Sequence, residues 1–189
     1  VQPIFIRGRL AWEEAELSAA QAFLAGLGKP NVRPLVVLEM PADDLYGNHW
    51  SVTASDVPGA DTCDEAVYLP GRNVLLLVKA MLWCGLNGVD RLALGILGSN
   101  PFGDATDEFF VDFQSAMARA TGTTVIIVRP FARYHKLEVI ALGSEWPLEQ
   151  TFSCIAPAGG LHCGRCNKCA ERKTGFARAG MIDKTCYRS

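Results

Sequence analysis

The sequence predicts an α/β fold built on a mainly parallel sheet. Three observations lead there. Strand-like apolar runs alternate along the chain with segments of helical periodicity, the pattern of crossover units. At 189 residues the chain is long enough for one sizeable α/β domain and short for two. Apolar residues at 49% and charged residues at 20% are ordinary globular composition and exclude a disordered chain.

The elements follow in order. Val1–Ile6 (VQPIFI) opens as a short apolar run in which Pro3 suits only a strand's start or edge. Trp12, Ala15, Ala19, Ala20, Phe23, Leu24 and Leu27 recur at helical spacing, stopped by Gly28 and Pro30. Pro34–Met40 (PLVVLEM) reads as the next strand. Residues 41–71, rich in Asp, Pro, Gly and Ser, read as a long irregular connection, a length usually reserved for functional or mobile loops. Arg72–Leu86 is apolar nearly all round and predicts a buried helix. Arg91–Leu97 is a strand, followed by a Gly/Asn/Pro/Asp loop over 98–105. Asp107–Thr121 predicts a helix with Phe109, Phe110, Phe113 and Met117 on its inner side. Thr123–Val128 (TTVIIV) is β-branched and apolar, a buried-strand pattern. Lys136–Gly143 is a short helix, and a cysteine-rich segment closes the chain. In parallel α/β folds function sits beyond the carboxyl ends of the strands. Those ends lead here into Arg7–Gly8–Arg9, the 41–71 connection and Gly98–Thr106.

The longest apolar stretch, Val74–Leu86, runs 13 positions and contains Lys79, too short for a membrane-spanning helix of about 20 apolar residues. The N-terminus lacks the pattern of an export signal. Seven cysteines, four of them within 16 residues, therefore read as metal binding in a reducing, cytoplasmic setting rather than as a disulfide framework. Cys63, Cys84 and Cys186 are expected as reduced thiols. Charge is unevenly spread: residues 1–162 carry a balance of −7 and residues 163–189 one of +5. A basic tail on an acidic body suits phosphate or nucleic acid, and equally a solvated helix face.

The strongest local motif is Cys154, Cys163, Cys166 and Cys169. Cys163-Gly-Arg-Cys166-Asn-Lys-Cys169 stacks two C-x-x-C turns, and Cys154 stands nine residues earlier. Four thiolates complete a tetrahedral shell suited to zinc in a closed structural site. Gly164 permits the tight turn that points neighbouring sulfurs inward. Arg165, Lys168 and Arg172 would offset the negative charge of the centre. An iron–sulfur cluster of the bacterial ferredoxin type would want a cysteine followed by proline where Lys173 and Thr174 stand. His162 adjoins the cluster, and with four sulfurs present it is read as a neighbour.

Two further motifs are weaker. Tyr68-Leu-Pro-Gly-Arg-Asn73 places Arg72 and Asn73 at a helix N-terminus, where free N–H groups suit a phosphate or carboxylate. An ordinary turn with Asn73 as a cap explains the same residues. In Arg129-Pro-Phe-Ala-Arg-Tyr-His-Lys136-Leu-Glu138, Lys136 follows a strand end by a few residues. It is placed to hold a phosphate or an activated acyl group, or else is a solvated first-turn residue. His49 and His135 have no nucleophile or carboxylate at informative spacing.

Taken together, Arg7–Gly28, Tyr68–Asn73, Pro130–Glu138, Thr151–Cys154 and Cys163–Tyr187 occur in the order found in 7-cyano-7-deazaguanine synthases. The chain resembles this ExsB-type branch of the PP-loop ATP pyrophosphatase superfamily over essentially its whole length. The final run CGRCNKCAERKTGFARAGMIDKTCY is similar to the family's closing signature, C-G-x-C-x-x-C-x-x-R, then G-F, A-G and D-x-T-x-Y. The resemblance implies an adenine-nucleotide α-hydrolase-like (Rossmann-like) sheet with helices on both faces. It divides the chain into a PP-loop-type domain, 1–150, and a zinc-binding segment, 151–189. It implies ATP-dependent conversion of 7-carboxy-7-deazaguanine and ammonia into a nitrile, a ligase reaction in queuosine biosynthesis. ATP with magnesium would activate the carboxylate, ammonia would give an amide, and a second activation would drive dehydration. Cys154, Cys163, Cys166 and Cys169 match the family's zinc ligands. Arg72, Asn73 and Lys136 match motif positions: chemistry assigns Arg72 and Asn73 to nucleotide contact, and Arg72 and Lys136 to catalysis. The expected partners are a deazaguanine-type carboxylate and ammonia, with no membrane, no direct nucleic acid and room for a homodimer.

Two departures matter. The superfamily's phosphate-binding S-G-G-x-D-S occurs nowhere in the 189 residues. The first strand here corresponds to the family's second, so a strand, loop and helix of roughly 30 residues are expected to be missing and ATP binding by the chain as given to be poor. After Arg91–Leu97 the family's D-x-S-G-Y-P-D-C-R is replaced by Gly98–Thr106, in which only Pro101 and Asp104 survive; the acceptor is then the deazaguanine acid or another carboxylate. The alternative reading is a non-catalytic zinc-stabilised binding module. A tRNA thiolase relative, using the cysteines for sulfur transfer, fits the single compact cluster poorly.

Overall fold

A computed structural model describes residues 1–188. The chain forms two compact units, one of Val1–Val67 with residues 140–188, the other of Tyr68–Val139.

The first unit opens with a parallel βαβ crossover: β1 (Ile4–Arg7), α1 (Glu13–Leu27) and β2 (Val36–Glu39), with Ile4 opposite Val36 and Arg7 opposite Glu39. The turn after β1 is organised by one buried carboxylate. Glu13 accepts the backbone N–H groups of Gly8 at 2.5 Å and Arg9 at 2.8 Å, and Arg9 takes a left-handed φ of 61°. Trp12 stacks on Trp50, with ring centroids 5.7 Å apart. The connection after β2 is more regular than the sequence suggests. It contains α2 (Asp43–Tyr46), α3 (Trp50–Thr53) and a 3₁₀ turn, Asp64–Val67. Four-residue turns show no apolar period; local caps hold them, as where the His49 ring accepts Ser51 N–H at 3.3 Å.

The second unit carries α4 (Arg72–Leu86), β3 (Arg91–Ala93), α5 (Asp107–Thr121) and β4 (Ile126–Val128). β3 and β4 form a second parallel pair, Arg91 opposite Ile126 and Ala93 opposite Val128. Both long helices run between the residues the sequence predicts. Thr106 Oγ1 accepts Phe109 N–H at 3.2 Å to start α5, and Gly122 ends it in the left-handed conformation. α4 buries Leu77, Ala80, Met81 and Cys84, but leaves Leu86 87% exposed, so it is one-sided rather than buried all round. The strands are shorter than their apolar runs. Val125 is buried while Ile126 and Val128 stand exposed, because alternate residues of a strand face opposite ways and one face is covered in this unit.

α6 (Lys136–Leu142) carries the chain back into the first unit, where α7 (Asn167–Arg178) follows the cysteine turns. α7 escapes apolar periodicity because its inward stripe, Cys169, Arg172 and Phe176, has helical spacing but an arginine at its centre. No helix of the described residues is long and apolar enough to cross a membrane, and all seven cysteines are free thiols.

Candidate functional site

Cys154, Cys163, Cys166 and Cys169 come together in the first unit. All four are buried, and their Sγ atoms lie within 4.8 Å of one another. Gly164 turns the chain between the first pair with φ 74°. Cys166 is the extended N-cap of α7, and Cys169 falls on that helix's first turn. The sulfurs of Cys154 and Cys166 are 3.9 Å apart, those of Cys163 and Cys169 4.0 Å. A regular tetrahedron with zinc–sulfur bonds of about 2.3 Å has edges of about 3.8 Å, so the donor set fits zinc in size as well as in chemistry. Backbone N–H groups already point at sulfur: Ala156 and Cys163 donate to Cys154 Sγ at 3.4 and 3.3 Å. Arg165 and Cys166 donate to Cys163 Sγ at 3.5 and 3.3 Å. Such donors favour thiolates. Among the sulfurs themselves, S–H donation from Cys154 and Cys169 lowers the Cys166 thiol. The same contact with Cys166 pushes Cys154 up to about 12, and contacts with Cys154 and Cys166 raise Cys169.

The surroundings are built for this cluster. His162 stays outside the donor set: its Nε2 accepts Ser153 N–H at 3.2 Å, and its ring packs between Phe152 and Tyr187. Burial, then the charge of Arg172, pushes its pKa down to about 4, leaving a neutral neighbour. Arg172 is the buried cation of the site. Its Nε donates to Thr185 Oγ1 at 2.8 Å, its Nη1 to Thr151 Oγ1 at 3.0 Å and its Nη2 to the Leu148 carbonyl at 2.6 Å. Its guanidinium carbon lies 5.1 Å from the Phe176 ring centroid. One side chain thus ties α7 to the segment entering Cys154 and to the closing tail. Of the other cations foreseen there, Lys168 pairs with Asp64 and Glu171.

The remaining site residues lie in the second unit. Arg72 and Asn73 open α4 behind Gly71, whose φ is 72°. The Asn73 N–H donates to Asp104 Oδ2 at 3.3 Å, and Asn73 Nδ2 to the Asp104 carbonyl at 3.1 Å. The Tyr68 and Phe102 rings pack at a tilt of 33° with centroids 4.7 Å apart. The Tyr68–Asn73 motif and the 98–106 loop are therefore one assembly, a pairing that single motifs did not reveal. The same loop meets the third motif, since Gly98 N–H donates to the Tyr134 carbonyl at 3.2 Å. Lys136 starts α6, whose first turn closes when Glu138 accepts His135 N–H at 2.6 Å. Asp104 was visible in sequence only as a surviving loop position. Asn167, whose side chain reaches Thr62, carried no signal beyond its place between cysteines.

The sequence matches known proteins along most of its length. The family model of queuosine biosynthesis protein QueC matches residues 12–180. A 7-cyano-7-deazaguanine synthase of Syntrophobacter fumaroxidans is 33% identical over 189 residues, 91% of this chain and 79% of its own. Those of Thiobacillus denitrificans and Leptospira interrogans are 31% and 29% identical, covering 92% and 89% of this chain and 81% and 73% of theirs.

Proposed function

Because the chain belongs to the family of queuosine biosynthesis protein QueC, we propose that it serves ATP-dependent conversion of 7-carboxy-7-deazaguanine and ammonia to 7-cyano-7-deazaguanine. A carboxylate is a poor electrophile because oxide is a poor leaving group. Activation of that oxygen lets ammonia displace it, and activation of the resulting amide oxygen lets it depart to leave the nitrile. ATP, with magnesium, supplies the activation when bound.

The observation that carries this reading is the match from 12 to 180, in a chain whose closing cysteines converge into one buried cluster of four sulfurs. In the proposal Cys154, Cys163, Cys166 and Cys169 hold a structural zinc, because four thiolates leave no open coordination position for chemistry. Arg72 holds nucleotide or the activated carboxyl. Asn73 fixes the 98–106 loop through Asp104, and Lys136 offers a second cation for negative charge on the reacting group.

The test is turnover by the protein isolated from its native source, supplied with the acid, ammonia and magnesium-ATP, with products followed by mass spectrometry. Nitrile formed only with all components is expected. ATP consumption with a different carboxylate would replace the substrate. No consumption with any carboxylate and ammonia would refute catalysis and leave a zinc-stabilised binding module.

A further inference from the structure

We propose that the metal centre holds residues 58–64 of the long connection in place, with Asn167 as the positioning residue that couples the two. This goes beyond the catalytic reading and does not depend on it.

Asn167 directly follows the ligand Cys166 and is 6% exposed. Its backbone N–H donates to the Pro58 carbonyl at 2.9 Å. Its Nδ2 donates to the Thr62 carbonyl at 2.8 Å and to Thr62 Oγ1 at 3.3 Å. Gly59 and Cys166 form an antiparallel bridge, and Lys168 Nζ lies 3.8 Å from Asp64. The anchors of 58–64 thus sit on three consecutive residues, Cys166–Lys168, inside the C-x-x-C-x-x-C turns. Bonds within the segment are local: Thr62 N–H and Oγ1 both reach the Gly59 carbonyl, at 3.2 and 2.8 Å. A turn of that size does not hold itself against the entropy of a long connection.

Zinc fixes Cys166 and Cys169, and so fixes the backbone that presents Asn167 between them. Removing zinc frees those residues and with them the docked segment. The coupling is reciprocal: whatever the docked segment contributes to the metal-shaped turn also resists metal loss.

Hydrogen exchange read by mass spectrometry tests this on three samples: the zinc-loaded protein, the chelator-treated protein and zinc-loaded Asn167→Ala. Asn167→Ala is expected to keep one zinc, since all four ligands remain. Its 57–67 peptide should exchange faster by about fivefold for each net hydrogen bond lost, and zinc transfer to a chelator should accelerate by a similar factor. Peptides covering β1 and β2 should not change. Unchanged exchange at 57–67 in both the variant and the zinc-free protein overturns the proposal. So does faster exchange with unaltered zinc release, which would make the contact merely structural. Should Asn167→Ala not fold, chelation of the wild-type protein decides alone: 57–67 must lose protection while β1 and β2 keep theirs, and simultaneous loss everywhere refutes the specific coupling.

Discussion

Replacing Arg172 by methionine isolates what one buried cation does for the metal-bearing segment. The side chain makes three hydrogen bonds, to Thr185, Thr151 and Leu148, each charge-assisted and individually about 1.5–3 kcal/mol. Methionine would keep the contact with Phe176 and recover the cost of burying a charge, which lowers the Arg172 pKa against the opposing pull of Asp183. It would also remove one of three donors to the Leu148 carbonyl, which keeps the Thr151 N–H and Oγ1. Set against that recovered cost, the loss of three such bonds should leave a net destabilisation of about 3–5 kcal/mol. With a urea dependence of about 2 kcal/mol/M, the unfolding midpoint of the zinc-loaded protein should fall by about 2 M. Arg172→Lys keeps the charge but cannot span three acceptors in different directions, so it should recover less than half of the loss. Circular dichroism in urea, with zinc content measured on the same samples, reads both effects. If Arg172→Lys matches the wild type, the bonds are not what holds the segment and the reasoning fails.

Further outcomes follow from other residues. Cys169→Ser removes a fully buried ligand and should abolish stoichiometric zinc and unfold α7, since structural zinc is worth about 10–16 kcal/mol to such segments; bound zinc by mass spectrometry and helicity by circular dichroism check this, and sulfur-transfer chemistry would instead leave the fold intact. Gly98→Ala places a Cβ 2.4 Å from the Ala132 carbonyl oxygen, so backbone must move; a loss of about 1–3 kcal/mol should appear in thermal unfolding. Asp183 is held below its ordinary pKa: burial pushes it up, but donation from Thr185 and Tyr187 and the charge of Arg172 outweigh it. Its contribution is therefore complete above the unfolded value of about 3.9 and is lost as pH falls through it towards the lower folded value. Asp183→Asn should flatten that part of the acid-stability curve.

How much of this was legible depended on the reach of the interaction. α4 and α5 could be read to the residue because their ends are set by neighbours in sequence: Gly71 before Arg72, Thr106 and Gly122 around α5. The cysteine centre was legible for the same reason, since C-x-x-C spacing is itself a turn geometry. α7 was hidden because Arg172 occupies the inward position that a periodicity argument reserves for an apolar side chain. The four-residue helices of 41–71 were hidden because they are shorter than any period. Thr62 and Asn167 are 105 positions apart, and no local pattern announces such a bond.

The α4 N-terminus shows what long-range pairing adds to a motif. Sequence offers Arg72 and Asn73 there as partners for an incoming anion. In the folded chain a carboxylate of the protein's own already faces this end, since Asp104 Oδ2 takes the Asn73 N–H. That interaction already draws on the partial positive charge of the helix end. A phosphate seeking the same N–H would meet the negative charge of Asp104 and have to displace it. The role best suited to Asn73 is therefore structural, with backbone and side chain both clamping the loop that follows β3. In the proposed reading the guanidinium of Arg72 is then the group at this corner that meets an anionic reactant. The loop in turn bonds to the turn before Lys136 through Gly98 and Tyr134, so the two weaker motifs acquire meaning as one assembly around residues 98–106.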